Sequence, residues 1–151
     1  MVELNLPEAD LRLKKEVDKT YVFDILRKKY ILLTPEEWVR QHFIHFLITH
    51  LHYPKGLFNI EKGLRYNKRL KRADIIFCNN QGNPLLLVEC KAPGENITQA
   101  VFNQASVYNK ELKASITIIT NGLKHFCYET DFSTHQVNFL DSIPSYQTLT
   151  P

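Results

Sequence analysis

Cysteine, glycine and long apolar runs are all scarce in this 151-residue chain, and each scarcity removes a class of protein. The three cysteines, Cys78, Cys90 and Cys127, are odd in number, widely spaced and set in apolar runs. They make no disulfide framework and no CxxC zinc site, and read as small buried hydrophobes. The five glycines include no GxxxxGK[S/T] loop to cradle phosphates, which argues against nucleotide hydrolysis within this chain. No apolar stretch approaches the length of a membrane helix, and the opening MVELNLPEADLRLKK is too charged for a signal peptide. A cytoplasmic protein with no membrane role is expected.

What is present is the composition of an ordinary folded domain, 44% hydrophobic and 23% charged, with no internal repeats or low-complexity segments. The length suits one domain that can bury a core without staples. Net charge is only +3, but its distribution is uneven: six of the eleven residues in KGLRYNKRLKR are basic. These are Lys62, Arg65, Lys68, Arg69, Lys71 and Arg72. Such runs are usually solvated loops. This one leads directly into Asp74, which points to contacts with an anionic polymer such as DNA.

Hydrophobic periodicity orders the elements. LRLKK and TYVFDIL flank a polar EVDK and predict a β-hairpin within residues 1–33. TPEEW opens a helix, with Thr34 as cap, Pro35 in the first turn and Glu37 at the third position of a capping box. Val39, Phe43, Phe46, Leu47 and Leu51 keep helical spacing to about residue 52. Strand-like runs follow at 57–66, 73–79 and 84–91, the last two joined by the turn signal NQGN. Residues 97–112 return to helical spacing through Ile97, Val101, Ala105, Tyr108 and Leu112, before strands at 114–120 and 124–129 and a short one in QVNFL. This order predicts an α/β fold with a mixed central sheet and a helix on each face. Residues 34–130 form its core, 1–33 an N-terminal extension packed on it, and 131–151 a tail of the same domain.

Three charges interrupt the apolar hairpin. If Asn79 faces Pro84, the antiparallel register sets Asp74 directly opposite Glu89, with Cβ atoms roughly 4.5–5.5 Å apart. Alternation then puts Lys91 on the same face and turns Cys90 away. Two carboxylates so close repel each other, and a hard divalent cation relieves the conflict. Magnesium suits such a pair because it accepts one or two carboxylates and keeps waters that phosphate oxygens can replace. Lys91 adds a point charge for an attacking hydroxide or a developing phosphoryl charge. A D…ExK triplet alone is more often a structural ion pair. Strand context, matching register and the preceding basic run favour phosphodiester hydrolysis here.

RAD followed by a hairpin and ECK resembles the PD-(D/E)XK nuclease superfamily, and the motifs TPEEWVRQHF, KRADIIF, LLLVECKAPG, QASVY and ITNG are together similar to the N-terminal nuclease domain of type I restriction enzyme R subunits. The resemblance covers about residues 30–130. It implies a restriction-endonuclease-like three-layer core of αβββαβ order and a Mg²⁺-dependent DNA endonuclease, with Mn²⁺ able to substitute. Asp74 and Glu89 would be metal ligands and Lys91 catalytic, with the backbone carbonyl of Cys90 completing the coordination. The family's Q-x-x-x-Y signature falls on Gln104 and Tyr108, which share a helix face and would act as accessory residues. Such nucleases also place a glutamate of the first helix near the metal. Glu37 is the candidate, about 100° from the centre of the apolar stripe, with Glu36 the poorer one.

The sequence departs from the resemblance in two places. Ala73 replaces the superfamily's proline, and the helicase motor that follows this domain in R subunits is not in this chain. The expectation is therefore a stand-alone nuclease domain. Its partners would be DNA, other restriction-modification or helicase chains, or a second copy of itself. The alternative is a nucleic-acid-binding module that keeps the fold and is inactive without a partner chain. A third reading is a basic adaptor that binds protein. The histidines of HFIHFLITHLH lack a Cys or acid at ligand spacing, and His42, His45 and His52 are expected on a solvated helix face.

Overall fold

Thr34 determines where the first helix starts. Its backbone is extended (φ −117°, ψ 166°), and its hydroxyl accepts the Glu37 amide at 3.0 Å, with Pro35 in the first turn. Helix α1, Pro35–His45, then passes into a π-helical turn, Phe46–His50, closed by Leu51 N–H donating to the Phe46 carbonyl at 3.2 Å. The structure, a computed structural model, describes residues 1–59, 64–66, 69–71 and 74–149, the side chains of 64–66 and 69–71 excepted.

Ahead of α1, the predicted hairpin is three strands: β1 Leu13–Glu16, β2 Lys19–Asp24 and β3 Lys29–Leu32, all antiparallel. After it come β4 Phe58–Asn59, β5 Leu64–Tyr66, β6 Arg69–Lys71, β7 Ile75–Cys78 and β8 Pro84–Cys90. Helix α2, Gln99–Leu112, is followed by β9 Ile116–Thr120, β10 His125–Asp131, β11 Gln136–Phe139 and a last turn, α3 Tyr146–Leu149. Six strands form one mixed sheet in the order β11-β10-β9-β8-β7-β4, in which only β8 and β9 run parallel, joined through α2. Of the run expected as one strand over 57–66, residues 60–63 lie outside the described ones. Its start pairs with β7, whereas Leu64–Tyr66 pairs with β6 in a separate two-stranded ribbon.

The sheet is buried from both sides. Val39, Phe43 and Ile44 of α1 and Leu47 of the π-helical turn pack with Ile75, Phe77, Leu86, Val88, Ile116 and Ile118. The opposite parity, Ile76, Leu87 and Ile119, packs with Tyr108, Val101 and Ala105 of α2. That explains why β7 and β8 are apolar at both parities. All three cysteines are buried and unbonded to one another. Among the described residues no helix is long and apolar enough to cross a membrane.

Candidate active site

Ile75↔Val88, Ile76↔Leu87 and Phe77↔Leu86 are paired, and one further step of this register sets Asp74 opposite Glu89. The turn differs from the expected one. The register shifts between Phe77 and Cys78, so Cys78 rather than Asn79 faces Pro84. Asn79 instead accepts the amides of Gln81 and Asn83 at 2.9 Å each, and Gly82 takes a positive φ of 83°. The bulge absorbs the difference before the ladder reaches the charged end.

Glu89 is 6% exposed, near the C-terminal end of β8. Asp74 lies just outside β7, and its Oδ2 accepts the Cys90 amide at 2.6 Å. Backbone N–H and C=O of one strand residue point toward the same neighbour, so the Cys90 carbonyl is directed to the Asp74 side of the strand. The next amide, Lys91 N–H, goes the other way, to the Thr120 carbonyl at 2.8 Å. Burial, then the charge of Glu89, push the Asp74 carboxyl up to about 7, against the Cys90 hydrogen bond. The Cys90 thiol is buried on the α1 side and is held well above its ordinary range by that burial.

Lys91 Nζ lies 4.0 Å from Glu89 Oε1 and 3.7 Å from Glu95 Oε2. The loop carrying Glu95 is tied down: Asn121 donates to the Glu95 carbonyl at 3.0 Å while accepting the amides of Leu123 and Lys124. Gly122, at φ 85°, takes a backbone conformation that strains other residues, and a Cβ there would press on the Leu4 side chain at 2.7 Å. The NG pair after β9 therefore serves both the site loop and the seating of the N-terminal segment.

The two glutamates of α1 diverge. Glu37 does not return a bond to its cap. Its Oε2 accepts from Arg40 at 2.8 Å and Gln41 at 2.7 Å. Glu36 is in electrostatic range of Lys91, Glu89 and Asp74, while Glu37 acts on Cys90. Partial burial pushes the Glu36 carboxyl up, Lys91 pulls it down, and Glu89, Glu95 and Glu37 add to the rise. Glu36 also contributes to the rise at Asp74.

Arg40 and Asp24 had no counterpart in the motif reading. Arg40 is 5% exposed and donates its Nε to the carbonyl of Asp74 at 2.8 Å. Its Nη1 reaches Asp24 at 2.9 Å, and Asp24 is wholly buried on β2. Asp24 also accepts the amides of Leu26 and Arg27 and the Arg27 guanidinium. Burial would raise its carboxyl, but Arg40 and these donors hold it below the usual range. The sequence signal available was an aspartate in an otherwise apolar TYVFDIL run.

On α2, Tyr108 is buried with Ile76, Cys78, Leu87 and Ala114, whereas Gln104 is exposed. Of the basic run, Lys62, Lys68 and Arg72 lie outside the described residues. Arg65, Arg69 and Lys71 fall in the β5–β6 ribbon, described as backbone only, which runs beside α2. His42 caps Trp38 rather than facing solvent alone, with its Nδ1 2.8 Å from the Trp38 carbonyl. His45 is half-buried, and that burial lowers its pKa. Among the described residues no three His, Cys, Asp or Glu side chains are gathered as a ready-made metal cage.

The structure thus defines a mixed α/β domain with two acids and a lysine gathered at one end of its central sheet. Residues 35–144 match the family described as the type I restriction enzyme R protein N terminus, and the chain belongs to that family. A solved structure of a fragment ascribed to an HsdR subunit of a type I restriction enzyme from Vibrio vulnificus YJ016 is similar to this chain at 28% identity, with a TM-score of 0.41. The match covers 54% of this chain and 15% of that one, so the chain spans a small part of that subunit. Comparison with curated proteins gives no significant match.

Proposed function

We propose that the domain is a metal-dependent DNA endonuclease of PD-(D/E)XK type with a three-layer core, acting within a type I restriction assembly. The observation that carries this reading is the Asp74–Glu89 pair, opposed across the β7–β8 hairpin, with Asp74 pushed up to about 7 by burial and by Glu89. An acid pair held this close stores repulsion that a divalent cation removes. The donor set fits Mg²⁺ or Mn²⁺: two carboxylates and the Cys90 carbonyl, with the remaining positions left to water and phosphate. Asp74, Glu89 and the Cys90 carbonyl would hold the cation, which would supply water activation and offset charge on the phosphodiester.

Lys91, next to Glu89, places its ammonium where charge develops on the phosphoryl oxygens or on the attacking hydroxide. Glu36 replaces Glu37 as the first-helix acid facing the site, because the Glu37 carboxylate is committed to Arg40 and Gln41. The basic residues from Lys62 to Arg72 supply phosphate contacts ahead of Asp74, and Gln104, exposed on α2, contributes to the same track. Partners are DNA and other restriction-modification chains.

Purified protein incubated with plasmid DNA and Mg²⁺ or Mn²⁺ should nick or linearise it, and both a chelator and Lys91→Ala should stop the reaction. Cleavage that persists in chelator would overturn the metal-dependent reading. Binding without cleavage under every metal would favour the module that depends on a partner chain.

A further inference from the structure

Residues 1–34 lie outside the family match, yet one of them backs the candidate site. We infer that Arg40 is a positioning residue for Asp74, and that Asp24 of the N-terminal sheet is its anchor. The functional consequence rests on the nuclease reading; the geometric part does not.

Asp74 is held from two sides. Its carboxylate accepts the Cys90 amide at 2.6 Å, and its main-chain carbonyl accepts Arg40 Nε at 2.8 Å. Because Asp74 lies outside the β7 ladder, the guanidinium supplies a hold on its backbone that the sheet does not. Arg40 can do this only if its own fork is fixed. Nη1 is shared between Asp24 at 2.9 Å and Glu37 at 2.8 Å, so one planar group spans β2, α1 and the start of β7.

Asp24 is immobile in turn. Two backbone amides of its own turn bond to Oδ1, at 2.8 Å from Leu26 and 3.1 Å from Arg27. The three-stranded sheet therefore sets where the guanidinium lies, and the guanidinium sets the backbone from which the Asp74 carboxylate projects. A displacement of about 1 Å at such a group is enough to cost 10²-fold in a positioned reaction. An arginine serving only as a structural ion-pair partner would need Asp24 and Glu37, not the carbonyl of Asp74.

The test uses Arg40→Lys, which keeps the cation but not the fork, and Asp24→Asn. Val22→Ala, on the same strand and fully buried, is the reference that loosens the sheet without touching Arg40. In metal-free protein, the Cys90 amide is followed by ¹H–¹⁵N NMR and hydrogen exchange. Mn²⁺ affinity is measured by calorimetry well below each melting midpoint. R40K and D24N should move the Cys90 amide upfield, speed its exchange about tenfold and weaken Mn²⁺ about tenfold, while V22A leaves all three near wild type. If D24N does not fold, the D24N/R40Q double variant removes both members of that pair together and should give the same shift.

Variants that melt lower but keep the wild-type Cys90 amide and Mn²⁺ affinity would overturn the inference and leave a structural ion pair. Should wild type bind no Mn²⁺, the metal reading fails and the Cys90 amide alone still decides this one.

Discussion

Asp24 and Asp74 lie on either side of one arginine, and their surroundings treat the same charge in opposite ways. Asp24 is fully buried but accepts four N–H donors, two of them from the guanidinium groups of Arg27 and Arg40, and stays ionised below the usual range. Asp74 accepts the Cys90 amide, faces Glu89 and feels Glu36, and is pushed up to about 7. Arg40 reaches the carboxylate of the first but only the backbone of the second. The first acid is complete as folded. The second is not: burial and its acidic neighbours outweigh the one amide it accepts, a state that the proposed cation would relieve.

The largest effect belongs to the incomplete acid. Asp74→Asn keeps an acceptor for the Cys90 amide but removes the charge proposed to hold the cation, and plasmid cleavage in Mg²⁺ should fall by about 10³ or more. Circular dichroism should show an unchanged fold. The complete acid should respond in stability instead. Asp24→Ala leaves the buried Arg40 guanidinium with Glu37 as its carboxylate partner and removes the acceptor of four N–H groups, and should cost about 3 kcal/mol, read from the urea midpoint. A D24A protein with wild-type stability would mean that the Arg40–Asp24 pair carries little weight in the fold.

The pH dependence sharpens the contrast because the signs are opposite. Asp74 has a raised folded pKa, so its contribution is fully present below the unfolded value near 3.8 and is lost as pH rises through about 7. Asp24 has a lowered one, so its contribution is present above 3.8 and is lost as pH falls toward its folded value. Metal-free D74N should therefore gain about 1 kcal/mol or more over wild type near pH 8, and nothing near pH 4. Denaturant melts at the two pH values read this directly. A D74N protein less stable than wild type near pH 8 would make Asp74 a structural partner.

Glu36 and Glu37 carry the smallest expected effects. Glu37→Gln disturbs the bonds to Arg40 and Gln41 and should cost about 1 kcal/mol with cleavage within tenfold of wild type. Glu36→Gln should leave stability within about 0.5 kcal/mol and lower cleavage several-fold, with higher Mg²⁺ restoring part of it. Parallel melts and cleavage assays separate the two residues.

These pairs also mark what could be read from the sequence. The Asp74–Glu89 register was legible because it follows from a period-two hairpin. It survived an error in the turn, since the bulge at Phe77–Cys78 offsets the loop before the charged end. Helix α1 was legible from its Thr34 cap and Pro35. Strand β3 was not, because KYIL is short, largely exposed and apolar at both parities, so it shows no alternation. Adjacent positions on α1 look in different directions, so which of Glu36 and Glu37 bonds to Arg40 and Gln41 follows from the docking of the helix, which no local pattern encodes. Arg40 and Asp24 are 16 residues apart on different elements, and their meeting with Asp74 is purely tertiary.

The most direct test of the account is metal-dependent melting of wild type beside Asp74→Asn. Mn²⁺ at about ten times its Kd should raise the wild-type Tm by about 3–6 °C, because binding to the folded state alone stabilises it. D74N, with one of the two carboxylates gone, should show no rise at the same concentration. Equal rises in the two proteins, or none in either, would contradict a cation site at Asp74 and Glu89.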